Sequence, residues 1–262
     1  MSPGTRRKDA VELAAGYSAK HRFYEKLGIL AGAGLFVALC VRLALTPPLS
    51  GWFVPLAALC GMLAADFVSG FVHWAFDTWG AVDTPVLGRL AIRTFREHHV
   101  DRKAITRHDF IETNGHNIAL SCVMSTLGLL FLMGTPGLLA TFGAMWALCT
   151  GIFVASTSQI HKWAHMDTPP RFIHLLQRAR LLICAEHHAK HHAAPYDRNY
   201  CITVGWMNEP LRYIRFFETL EAIITWVTGW VPREDDIGKE AALASLAEAE
   251  AKPPPVPVPP ES

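Results

Sequence analysis

The chain reads as an all-α integral membrane protein: four transmembrane helices with a histidine-rich domain on their cytoplasmic side. Three observations lead there. Hydrophobic residues form 51% of the 262, and they are bunched into long charge-poor runs while the charge lies between and after them. Lysine and arginine collect in the segments that four crossings would place on one side of a bilayer. Thirteen histidines stand out in the composition, and ten of them fall into four groups on that same side.

Residues 1–26 form a basic leader, with Arg6, Arg7, Lys8, Lys20, Arg22 and Lys26 against three acids, too long and too charged for a cleavable signal peptide. Leu27–Leu45 is the first apolar run, broken by Arg42, which near the end of a span can snorkel to the interface. Thr46-Pro47-Pro48 and Gly51 mark a tight turn. A second run, Trp52 to Phe76, is long enough to cross roughly 30 Å of hydrocarbon. The stretch 77–117 is polar. Ile118–Met133 and Leu138 to Ser158 are then separated only by Gly134-Thr135-Pro136-Gly137, and the first of these is short for a span. The two short connections carry no Lys or Arg, so the positive-inside rule places both termini and 77–117 in the cytoplasm.

Beyond the fourth run, the pattern predicts an interfacial helix over Arg171–Ile183 and a β-prone piece at Tyr200–Trp206. An aromatic amphipathic helix over Pro210–Trp230 follows, suited either to the headgroup layer or to packing on the cytoplasmic domain. The Ala/Glu- and Pro-rich end reads as disordered. The expected organisation is therefore a leader at 1–26, a membrane domain at 27–232 and a tail at 233–262. A bacterial inner membrane is the expected location, because no transit peptide precedes the first span.

The near-neutral formal charge of +1 argues against a nucleic-acid partner, which would need a basic face. The six cysteines contain no C-x-x-C pair, which favours free buried thiols over disulfides or a zinc knuckle.

The histidines carry the chemistry. His73 ends the second span, with Asp66 and Asp77 seven before and four after it on the same helical face. Asp66, inside a span, must face the protein interior. One of these acids is expected to accept the second N–H of a metal-bound imidazole. Next come His98-His99 and then His108; adjacent histidines on a helix point about 100° apart and serve neighbouring metals better than one. His161 and His165 share one helical face a turn apart, a chelating spacing. His187-His188-Ala189-Lys190-His191-His192 offers imidazoles at i, i+3 and i+4. A lone histidine is more often a hydrogen-bonded core residue than a ligand, and that bland reading is kept for His21, His116 and His174. Ten imidazoles gathered at one membrane face without a metal would strand many polar nitrogens.

The number exceeds what a single zinc uses, three or four ligands. It points to a di-metal domain with about four histidines per metal, and imidazole suits zinc, copper, iron or nickel. The Glu-x-x-His pairs of soluble di-iron bundles are absent. A haem or non-enzymatic metal module is the alternative, though haem histidines would lie within the spans.

At these residues the chain resembles the Kua/CarF family of membrane lipid desaturases, which includes plasmanylethanolamine desaturase and plant plastid fatty-acid desaturases. The matching strings run from Asp66 to Gly80, from Phe95 through His98-His99 and His108 to Asn114, from Gln159 to His165, and from His187 through Tyr200 to Trp206. Together they lie within about residues 60–230 and occur in the expected order. The His98–Asn114 string favours the plasmanylethanolamine branch. The resemblance implies two non-haem irons, O2 as co-substrate, a membrane phospholipid substrate, and electrons from a donor such as cytochrome b5 or a ferredoxin. It implies conversion of a 1-O-alkyl (plasmanyl) phospholipid to its vinyl-ether (plasmenyl) form, with acyl desaturation or hydroxylation as alternatives on the same scaffold. Carried over by position, the ligands are His73, His98, His99, His161, His165, His188, His191 and His192, with His108 and His187 as further candidates. His116 stands where the family pattern has an acid.

Overall fold

The computed structural model describes residues 11–251, and every regular element among them is helical. Two long helices come first, α1 (Ala19–Ala44) and α2 (Phe53–Thr78). A π-helical turn (Gly88–Ile92) leads into the short helices α3 (Arg93–Val100) and α4 (Ala104–Arg107). The long α5 (Phe110–Phe131) and α6 (Leu138–His165) follow. The remainder is made of short pieces: α7 (Arg171–Arg178), α8 (Ala185–Ala189), α9 (Asn208–Tyr213), α10 (Phe216–Thr228), α11 (Glu234–Ile237) and α12 (Lys239–Ala251).

Three helices, α1, α2 and α6, are long and apolar enough to cross a membrane. Twenty-six residues rise about 39 Å, more than a hydrocarbon core of about 30 Å. The expected fourth crossing falls in α5. That helix is long enough at about 33 Å, but Glu112, Thr113, Asn114, His116 and Asn117 make its first two turns polar, so composition alone supports three.

Helix α5 lies between α1 and α6, and α2 packs on α6. Glycine permits the close approach of α1 to α5: a Cβ at Gly28 would meet Ala119 Cβ at 2.7 Å, and one at Gly32 would meet Ile118 at the same distance. The outer faces expose Leu30, Val37, Val123, Leu130 and Leu139, as lipid-facing surfaces do. Arg42 does not snorkel freely. Its Nη2 donates to the carbonyl of Leu132 at the end of α5 (2.8 Å), tying the 45–52 connection to the 132–137 connection at one end of the bundle.

The opposite end holds the polar chemistry. No strand forms at Tyr200–Trp206, because side chains of α2 take up the backbone donors that a neighbouring strand would use. Asp66 Oδ1 accepts from the N–H groups of Thr203, Val204 and Gly205, and its Oδ2 from that of Met207. Ser69 accepts from Ile202 N. The segment can lie this close only because residue 70 is glycine; a Cβ there would sit 2.4 Å from Cys201 Sγ.

The 210–230 stretch divides at Arg215, whose φ of 51° breaks the helix between α9 and α10. One side of α10 packs Phe217, Leu220 and Ile224 with Trp74 and Tyr200, while Ile223, Trp226 and Val227 face outward, so both roles expected of the stretch have a side available.

The chain does not become irregular at 233. Arg233 is buried and pairs bidentately with Glu221 (2.7 and 2.8 Å), and Glu221 also accepts from Trp74 Nε1. This arm carries α11 back onto α3, and α12 follows it. Helical pieces occupy much of 234–251, within the stretch expected to be disordered; residues 252–262 lie outside the described residues.

Candidate metal centre

Four elements deliver the site. The last two turns of α2 bring His73 and Asp77, α3 brings His98 and His99, and the final turns of α6 bring His161 and His165. Helix α8 and the turn after it bring His188, His191 and His192. Helix α6 continues past the expected end of its apolar run, which puts both of its histidines on one rigid element. All eight histidines are buried.

Two groups of four imidazoles have mutually close ligand atoms: His73, His98, His99 and His191, and His98, His161, His188 and His192. His98 belongs to both. His165 joins the second group, its Nε2 lying 3.0 Å from those of His161 and His188 and 3.3 Å from that of His192. His161 and His188 are 2.8 Å apart by the same atoms, and His188 and His192 3.0 Å. Metal–nitrogen bonds of about 2.0–2.1 Å set adjacent ligand nitrogens about 3.0–3.4 Å apart. The five close contacts among these four nitrogens cannot all be hydrogen bonds, since each Nε2 of a neutral imidazole offers either one proton or one lone pair.

The first group surrounds a carboxylate. Asp77 Oδ2 lies 3.1 Å from His73 Nε2 and 3.3 Å from His191 Nε2, and Oδ1 lies 3.6 Å from His99 Nε2. Asp77 is fully buried, and neither oxygen has a partner in hydrogen-bonding geometry; the same holds for Nε2 of His73 and of His98. A buried carboxylate among three imidazole nitrogens calls for a cation. The donor set, imidazoles with one carboxylate, fits a pair of first-row transition metals.

The rings are aimed by their outer nitrogens. His73 Nδ1 meets Tyr200 O (3.1 Å), His191 Nδ1 meets Arg198 O (3.0 Å), and His99 Nδ1 meets Asp236 Oδ2 (2.8 Å). Tyr196 stacks on His99 with ring centroids 4.5 Å apart. Burial, reinforced by neighbouring imidazoles, holds His98, His188 and His192 below the ordinary histidine range, so they stay neutral bases with a free lone pair. His99 goes the other way: burial pulls it down, but the Asp77 and Asp236 carboxylates outweigh that and leave it raised.

His108 and His187 are not brought into the cluster. His108 faces Glu97 (3.7 Å) and Glu112 (3.6 Å), while His187 Nε2 meets the amides of Asn199 and Asn208. His116 lies 3.2 Å from Glu25. Asp66 touches no imidazole. It acts at one remove, by fixing the 200–207 segment whose Tyr200 carbonyl orients His73. Arg93 and Arg96 are internal: Arg93 pairs with Glu97, and Arg96 donates to the carbonyls of Phe76, Asp77 and Gly80 and to Asp235. Asp236 is the site residue that spacing gave no way to find.

The lipid desaturase domain model matches residues 62–235, two thirds of the chain, with all four histidine groups inside it. The chain belongs to the lipid desaturase family. This lipid desaturase is 50% identical to plasmanylethanolamine desaturase of Myxococcus xanthus, over 93% of its own length and 86% of the relative's. It is 42% identical to plasmanylethanolamine desaturase 1 of Mus musculus, over 89% and 88%. The chloroplastic fatty acid desaturase 4 of Arabidopsis thaliana is 35% identical over 73% of the chain and 56% of the relative. No solved structure matches. The protein is a membrane lipid desaturase, an oxidoreductase.

Proposed function

We propose that this desaturase uses two non-haem irons and O2 to convert a 1-O-alkyl (plasmanyl) phospholipid, of ethanolamine type, to the 1-O-alkenyl (plasmenyl) form. The observation that carries the reading is the convergence of eight buried imidazoles and one unpartnered carboxylate on two adjacent points. The relatives named for plasmanylethanolamine match nearly the whole chain, which favours the ether lipid over an acyl chain. His73, His99, His191 and Asp77 would hold one iron, and His161, His165, His188 and His192 the other, with His98 between them. Bound there, the iron pair would supply O2 reduction: –O–CH2–CH2–R, O2, two electrons and two protons yield –O–CH=CH–R and two waters. The electrons would come from a cytoplasmic donor such as cytochrome b5 or a ferredoxin.

The chain's own part is to keep His98, His188 and His192 neutral, to orient the rings through Tyr200 O, Arg198 O and Asp236, and to exclude water with Phe95 and Tyr200. Helix α5 would be the fourth crossing, its length and its Arg42–Leu132 tie supporting that arrangement. Both termini and the histidines would then face the cytoplasm of a bacterial inner membrane.

The test is expression in an aerobic host fed alkyl-ether lipid and lacking its own ether desaturase. Acid-labile vinyl-ether phospholipid and two irons per purified chain are expected. Zinc in place of iron, or unsaturation confined to acyl chains, would overturn the proposal.

A further inference from the structure

A cavity of about 60 Å³ opens between α2, α5 and α6, and its lining includes His73 and His161, one histidine from each proposed iron position. That volume is room for about four or five waters, a scale that suits a short stretch of hydrocarbon. Val72, Leu120 and Val154 give it apolar walls. The lining also holds, beside Ser69 and Thr157, Asn117 of α5 and Ser158 of α6.

Their neighbours are engaged. Asn114, one turn before Asn117, donates to Phe110 O and Gln159 Oε1. Ser156 and Thr157 return their hydroxyls to carbonyls four residues back, and Thr157 also meets Thr203. Asn117 and Ser158 have no such partner among the described residues. A free amide on an apolar wall is costly, and such groups in ligand pockets are the ones that fix orientation.

We propose that Asn117, assisted by Ser158, donates hydrogen bonds to the oxygens where the chain joins glycerol, the ether oxygen first. This holds the first two chain carbons beside His73 and His161 and sets which C–C bond is oxidised. The inference rests on the two-iron ether-lipid reading above. A hydrocarbon chain alone offers no register mark; its ether oxygen, one bond from the reacting pair, is the nearest atom that accepts a hydrogen bond.

The test uses full-length protein in membranes with alkyl-ether phospholipid, comparing wild type, Asn117→Leu, Asn117→Gln and Ser158→Ala. Iron per chain, KM, kcat and double-bond position by mass spectrometry are read for each. Asn117→Leu is expected to keep its iron, to raise KM by about tenfold, the worth of one hydrogen bond, and to yield a fraction of product unsaturated beyond the 1′,2′ position. Asn117→Gln should recover part of both losses, and Ser158→Ala should give a smaller shift of the same kind. Wild-type KM and a single 1′,2′ product in iron-replete Asn117→Leu overturn the inference. If that variant loses iron, Ser158→Ala and Asn117→Gln decide: wild-type KM and product in both overturn it equally. Failure of the wild type to form any vinyl ether refutes the underlying function instead.

Discussion

Removal of the Asp236 carboxylate tests whether the C-terminal arm belongs to the metal centre. Its Oδ2 lies 2.8 Å from His99 Nδ1, and the two side chains are 7% and 1% exposed. A charged acceptor on the outer nitrogen fixes the tautomer, leaving Nε2 free for metal, and raises the basicity of the ring. A hydrogen bond to a charged group is worth about 1.5–3 kcal/mol. Loss of such an outer partner lowers metal affinity by about 10–100-fold, or about 1.4–2.7 kcal/mol. The two ranges agree, which is expected if the bond acts mainly through His99. Asp236→Ala should therefore weaken iron binding by that factor, Asp236→Asn by less, and exposed Glu234→Gln not at all. Chelator competition on the detergent-solubilised full chain measures it. A chain ending at 232 should lose iron as Asp236→Ala does, while one ending at 251 should not. Wild-type affinity in both Asp236→Ala and the 232 truncation would refute the reasoning.

Three further outcomes follow from the same contacts. Arg233→Ala strands the buried Glu221 carboxylate and should cost about 3–5 kcal/mol, read as a fall in thermal midpoint, with Arg233→Lys intermediate. Asp66→Ala leaves four backbone N–H groups at 203–207 without their acceptor, and should loosen the Tyr200 carbonyl on His73; protease cutting near 200–207 and iron loss should rise together, and an iron-replete, protease-resistant variant would contradict this. In metal-stripped protein, His98, His188 and His192 are depressed relative to the unfolded chain. The unfolded state then binds more protons below about pH 6.5, so stability should fall with acidification, at up to about 4 kcal/mol per pH unit for three groups. His99, with its raised value, opposes this in part. Equal thermal midpoints at pH 7.5 and 5.5 would exclude it.

What the sequence made legible was whatever sits on long regular elements. His161 and His165 are four apart on a helix, and His73 with Asp77 likewise, so helical geometry alone brings each pair to one face. The fourth crossing expected from the sequence falls on α5, where hydropathy averaged over the polar first turns does not by itself support a span. Asp66 was read as interior, yet its partners are backbone N–H groups of a segment 137–141 residues away, a contact that no periodicity encodes. Asp236 was hidden for a similar reason. It lies in an acidic run that resembles a solvated tail, and contacts formed across the fold, the Arg233–Glu221 pair and Arg96 with Asp235 among them, carry it inward.

The two proposed metal positions also differ in how they are supported, and that difference has a measurable consequence. The His73/His99/His191 position includes the Asp77 carboxylate, and each of its rings is oriented by an oxygen on the outer nitrogen. In the His161/His165/His188/His192 position, Nδ1 of both His188 and His192 is buried without a partner. An anionic ligand and oriented rings favour the first position on both Coulombic and second-partner grounds. Iron should therefore leave the second position first. A chelator titration should show two steps of one iron each, separated by at least about tenfold in affinity. Asp77→Asn should merge the steps by weakening the tighter one, whereas His192→Ala should weaken only the looser. Loss of both irons in one step from the wild type would mean that His98, shared between the groups, couples them too strongly for their separate surroundings to matter.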